Sequence, residues 1–211
     1  MNSKRKALTM VLCALLLVSA TMFATIAYLT SKDEVNNTFT VGNVKITLDE
    51  AKVNPDGTPV LDAERVKANE YKLIPGHSYT KDPTVTVMAN SEDCYVRALV
   101  TINKREALYN LPSSINIEDC FDINEDWVFK SETEDIDGDT YTYEFWYNSK
   151  VETTSDEDTQ LSAVFEKIIV PESLTNAQLE TLEGLKIDVV AHAIQADGFD
   201  TAEKAWEAFG K

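Results

Sequence analysis

The sequence predicts an all-β fold, an antiparallel jelly-roll-like β-sandwich with short accessory helices. Three observations carry that prediction. Apolar residues recur with period two in run after run, clusters of Gly, Pro, Asn and Asp separate the runs, and no long stretch of helical period intervenes. Many short strands without crossover helices suit an antiparallel sandwich of jelly-roll or Ig-like form better than a parallel sheet.

The chain begins with a different kind of element. Lys4, Arg5 and Lys6 precede 24 residues, 7–30, that carry no charged side chain. A basic head holds the cytoplasmic end while the Leu-rich stretch partitions into hydrocarbon, which is the physics of an export signal. The run is long enough to span a bilayer, so an uncleaved anchor is the competing reading. Small residues return at Ala24, Thr25 and Ala27, however, and shallow peptidase subsites need small side chains. Cleavage is therefore expected between Ala27 and Tyr28, giving a signal peptide over 1–27 and one domain over 28–211, with the membrane touched only through the signal. Cys13 follows Val11 and Leu12, which does not suit a lipoprotein site.

Seven strands are expected. The first carries Phe39, Val41, Val44, Ile46 and Leu48, with a kink at Gly42 and Asn43. A second, Tyr79 to Ala89, is interrupted by Pro83, which cannot donate to a ladder. Cys94, Val96, Ala98, Val100 and Ile102 give the cleanest inward face. Trp127 to Thr133 and Thr140 to Asn148 flank an acidic Asp-Gly turn and read as a hairpin. Leu161 to Val170 ends at Pro171, and Leu185 to Gln195 closes the set. Thr175 or Asn176 caps a short helix with Leu179 and Leu182, and Thr201 caps another over Ala202 to Phe209. Residues 104–125 read as a loop-rich insertion with one helical turn, and Asp49 to Glu70 as a polar excursion.

Charge and cysteine content narrow the partners and compartment. The formal charge is -17, and loss of the three leader cations makes it -20, which excludes nucleic acid as a partner. Such acidity keeps an exported protein soluble. Cys94 and Cys120 survive cleavage; they are either a disulfide, favoured outside the cell, or two small buried hydrophobes.

Catalytic chemistry is sparse. Two histidines exist, His77 in a Pro-Gly turn and His192 inside the last strand. Neither stands in an HExxH element, and no serine stands in a Gly-x-Ser-x-Gly elbow. His77 and His192 are the zinc candidates; a turn histidine and an outer-face strand histidine account for them without a metal. Asp135, Asp137 and Asp139 are the calcium candidates, but their order is that of a solvated hairpin tip rather than an EF-hand. No catalytic or cofactor-binding residue is assigned. A β-rich domain with an exposed N-terminal strand has one activity physically open to it, which is to offer that strand to the sheet edge of a neighbour.

Several segments point to a family. They are Ala24-Thr25-Ile26-Ala27-Tyr28-Leu29-Thr30, then Asn37 to Val44, then Leu73-Ile74-Pro75-Gly76-His77-Ser78-Tyr79-Thr80-Lys81-Asp82-Pro83, Glu92 to Arg97, and Ile187 to Gln195 with Asp197-Gly198-Phe199. Over nearly its whole length the chain resembles the TasA and camelysin group of exported proteins from Gram-positive bacteria. The resemblance implies a jelly roll whose signal is cut by a SipW-type signal peptidase, secreted to the cell surface or biofilm matrix. It also implies assembly with copies or related matrix subunits into fibres, one subunit's N-terminal segment completing the sheet of the next. The donor here would be Tyr28 to about Val41, with Leu29, Val35 and Phe39 as its apolar residues. Camelysin relatives imply the rival reading, a secreted metallo-endopeptidase, and a monomeric adhesin is the third.

Overall fold

The computed structural model describes residues 31–33, 43–115, 118–154 and 156–209. The signal segment 1–27, the junction Ala27/Tyr28 and the donor candidates Leu29, Val35 and Phe39 lie outside them. Among the described residues the elements run β1 (Ser31–Asp33), β2 (Ile46–Asp49), β3 (Ser78–Thr80), β4 (Thr84–Val87), β5 (Cys94–Asn103), α1 (Arg105–Tyr109), β6 (Phe121–Ile123), β7 (Trp127–Asp135), β8 (Thr140–Tyr147), β9 (Thr159–Gln160), β10 (Phe165–Ile169), α2 (Asn176–Thr181), β11 (Ile187–Gln195) and α3 (Ala202–Ala208).

One layer is a five-stranded antiparallel sheet in the order β1-β11-β5-β8-β7. Its central strand β5 alternates buried and half-buried along its whole length, as the period-two pattern requires. Val189, Ala191 and Ala193 of β11 face Val100, Ala98 and Val96 of β5 in register, so the inward sets of both strands coincide. The hairpin β7-β8 turns at Ile136 to Asp139, where Asp139 takes a left-handed φ of 52°.

The opposite layer consists of two three-stranded sheets, β2-β4-β9 and β3-β10-β6. They are two halves of one interrupted ribbon. Pro83 separates β3 from β4, and opposite it the chain between β9 and β10 loops out. Leu161 N–H there donates to Val85 O at 2.9 Å, Val164 N–H to Pro83 O at 2.9 Å, and Lys81 N–H to Glu166 O at 3.1 Å. The expected break at Pro83 is present, and it imposes a matching break on the run Leu161 to Val170, expected as one strand. The later part of the first expected strand appears as β2, with Val44 buried before it, while Phe39, Val41 and the kink residue Gly42 lie outside the described residues. Strand β6 lies inside the segment expected to be loop-rich; that segment also holds α1 and a single 3₁₀ turn at Glu118–Cys120.

The core lies between the layers. Val85, Val87 and Phe165 from one side and Val96, Ala98 and Ala191 from the other are at most 1% exposed and belong to one cluster. A smaller cluster lies outside the five-stranded sheet, where α3 lays Ala205 and Trp206 over Ile194. Thr201 caps α3 through Lys204 N–H, and Thr175 forms a capping box with Gln178 on α2. Among the described residues the fold is thus all-β, with antiparallel sheets in two facing layers and three short helices.

Candidate functional site

Of the expected donor strand, Ser31–Asp33 fall within the described residues. Ser31–Asp33 pair antiparallel with Ala193, His192 and Ala191, on the edge of β11 away from β5. The segment read from sequence as exposed is, over these three residues, a strand of its own chain's sheet. β11 pairs with β5 along all nine of its residues, yet with β1 along only three, so most of that edge carries no ladder among the described residues.

The metal candidates are not brought together. His77 Nε2 lies 2.7 Å from Asp56 O with its ring against Tyr79, whereas His192 lies under α3, its ring stacked 4.9 Å from Phe209. His192 is on the outer face, as expected, but buried there. Arg97 Nε–H donates to His192 Nδ1 at 3.2 Å, while the guanidinium bonds Glu144 at 3.0 Å and stacks on Trp206 and Phe209. Asp135 accepts from Gly138 N–H and Asp139 from Glu106 N–H, so two of the hairpin acids hold backbone. Among the described residues no group of three His, Cys, Asp or Glu side chains could hold a metal ion. Nor is any helix there long and apolar enough to cross a membrane.

Cys94 and Cys120 are unbridged thiols in this structure, Cys94 buried and Cys120 half-buried. Burial pushes the Cys94 thiol up to about 12, with the Asp93 carboxylate adding to it, and burial likewise raises Cys120. Neither is poised as a nucleophile at neutral pH. Asp93 itself fastens the start of β5: it accepts from Lys150 and from Thr153 N–H, and the Lys150 hydrogen bond holds its carboxyl below the usual carboxylate range.

A large concavity lies elsewhere. Between the layers, where β5 ends and β11 begins, is a cavity of about 860 Å³. Ile102, Ile187 and Val189 form one wall, Leu48, Tyr79 and Ile168 the other. Its far side is closed by Leu108, Leu111 and Ile115 of the insertion and by Leu174, Leu179 and Leu182 around α2. Leu179 and Leu182 are the apolar residues of the expected short helix, whereas Leu108, Leu111, Ile115 and Leu174 follow no strand period and nothing in the sequence singles them out.

One end of this cavity is polar. Lys81 Nζ meets Glu50 Oε2 at 2.6 Å, both side chains being buried, and Asn69 donates to the other oxygen of Glu50 at 2.8 Å. Burial, with Glu50 adding to it, pushes the Tyr71 phenol up, so it stays protonated and donates to Thr80 O. Arg65 clamps Asp49 and Asp82 together. Lys67 Nζ donates to Leu48 O at 2.5 Å. The polar excursion supplies most of these groups because it folds back on β2 through bridges Glu50↔Val66 and Val53↔Pro59. Gly57 makes that return fit: its φ is +80°, and a Cβ there would come within 2.7 Å of Tyr79. Lys81 was legible only as part of a turn, though its even spacing from Tyr79 and Pro83 put it on the inward face. Nothing in the sequence marked Glu50 as its partner.

The chain matches no family model, no curated protein and no solved structure.

Proposed function

We propose that this chain is an exported structural subunit of the cell surface or biofilm matrix, of the TasA and camelysin group, and that it associates through its N-terminal ribbon. The observation that carries the reading is the seat of Ser31–Asp33 on the edge of β11. An edge that accepts this segment from its own chain offers the same backbone groups to the same segment of a neighbour. Among the described residues the contact covers three, so opening it there gives up few hydrogen bonds, and an exchanged copy recovers them. Repeated head to tail, such an exchange does not close on itself and builds a filament.

The leader accounts for timing. A ribbon still joined to an apolar segment in the membrane cannot reach a neighbour, so cleavage after Ala27 by a SipW-type peptidase frees the donor. The surplus of acids keeps subunits dispersed until that contact forms.

Electron microscopy of the chain from Tyr28 and of a chain lacking Tyr28 to Thr38 tests the proposal. Filaments from the first and dispersed monomers from the second are expected. Filaments from both, or from neither, would remove the ribbon from the assembly mechanism.

A further inference from the structure

We propose that the inter-layer cavity is a binding site for a single-chain carboxylic acid amphiphile of the fatty-acid class, its tail between the layers and its carboxylate at Lys67. Protein interiors are packed to the density of organic crystals, with few voids larger than a water molecule. A space of about 860 Å³ is instead within the range of small-molecule sites. It is not a surface dent, since Leu108, Leu174 and Leu182 line it while buried from solvent.

The chemistry of the walls selects the occupant. Most of the lining side chains are aliphatic and come from opposed walls, which suits a flexible saturated chain over a flat ring system. Glu50, Asn69 and Lys81 are held together by their hydrogen bonds, so a ligand with one apolar tail and one polar head has a defined orientation.

The charges at that end decide the head. Each carboxylate nearest the polar end is already answered: Glu50 by Lys81 and Asn69, and Asp49 by Arg65. Lys67 is placed differently. Its ammonium has three donors, and the contact made by it in the structure is to a neutral carbonyl, that of Leu48. An arriving carboxylate therefore finds a cation that is not neutralised by an ion pair among the described residues. Glu70, Lys186 and Asp188 also line the cavity; Lys186, just before β11, and Asp188 alternate with Ile187 and Val189, and Glu70 and Asp188 are exposed to solvent.

The test is titration of palmitate and of hexadecanol into the chain from Tyr28, which lacks the apolar leader that would itself bind lipid. Calorimetry and native mass spectrometry give the affinity and stoichiometry. One palmitate per chain is expected, bound about tenfold or more tightly than the alcohol. Lys67→Gln, at an exposed position, should weaken palmitate about tenfold and leave hexadecanol unchanged. Leu179→Trp and Leu111→Trp, each checked by circular dichroism, should abolish binding of both probes in whichever variant keeps its fold. The assignment is overturned if the folded chain binds neither probe, if binding survives the filled cavity, or if the alcohol binds as tightly as the acid. Filament formation is read separately, so failure here leaves the strand-exchange reading standing.

Discussion

The two ends of the sandwich are built from the same kinds of residue and packed differently. At one end both layers contribute strands with strict alternation, and Val85, Val87, Cys94 and Phe165 are fully buried. At the other, the insertion and the segment around α2 stand in for strands, and a cavity of about 860 Å³ remains. Leucine is no less apolar than valine, so hydrophobicity does not separate the two ends. Geometry does: strand side chains arrive at fixed spacing on both walls and interdigitate, whereas leucines on short helices and turns cover a space without filling it.

The comparison is broken most directly by truncation at each end. Phe165 is fully buried, with the Phe121 ring edge-on at a centroid distance of 5.2 Å. Phe165→Ala should lower stability by about 3–5 kcal/mol, the lost transfer energy and the new void adding together. Leu179→Ala should cost less than about 1 kcal/mol, because this half-buried side chain already faces open space and leaves few partners unmatched. Urea unfolding midpoints at a common slope measure both. Equal losses would mean that the cavity end is as closely packed as the other.

A second test falls on the boundary between the two regions, where Lys81 and Glu50 are buried together. Removing one partner strands the other, so Lys81→Met or Glu50→Gln alone should cost about 3 kcal/mol. The double replacement Lys81→Met with Glu50→Leu should recover most of that loss, since two apolar groups leave no buried charge. A double variant as unstable as the singles would show the pair holding β2 against the turn before β4 by geometry that apolar side chains cannot supply.

These regions also differ in how far they could be read from sequence. The inward face Cys94 to Ile102, the hairpin around Asp137 and Gly138, the break at Pro83 and both helix caps were legible, because each is a local pattern with a local cause. The split of Leu161 to Val170 was not, because its cause is Pro83, which lies between β3 and β4 in a distant part of the chain. The cavity was illegible for a related reason. Leu108, Leu111, Leu174 and Leu182 come from two segments far apart in the chain, and periodicity carries no information on whether such side chains meet. His192 was placed on the outer face correctly, yet its burial depends on α3, a separate element that folds back over it.

The cysteines give the smallest expected effect and sharpen the contrast, one thiol lying at each end. Cys94 lies in the packed face, with its thiol raised from an ordinary value of 9 to about 12; Cys120 lines the cavity, and its thiol is raised in the same direction. A folded-state value above the unfolded one means that the native protein keeps a proton which the unfolded chain releases. The contribution is therefore intact below pH 9 and is lost as pH rises from 9 toward 12, amounting to about 1 kcal/mol from Cys94 by pH 10. Unfolding midpoints at pH 8, 9 and 10 should fall more steeply for the parent chain than for Cys94→Ala, whose lower starting stability does not affect the slope. Iodoacetamide at pH 8.5 should modify Cys120 well before Cys94, because the reagent reaches the cavity wall without opening the sheet. Simultaneous labelling would place both thiols behind the same opening event and merge the two ends into one cooperative unit.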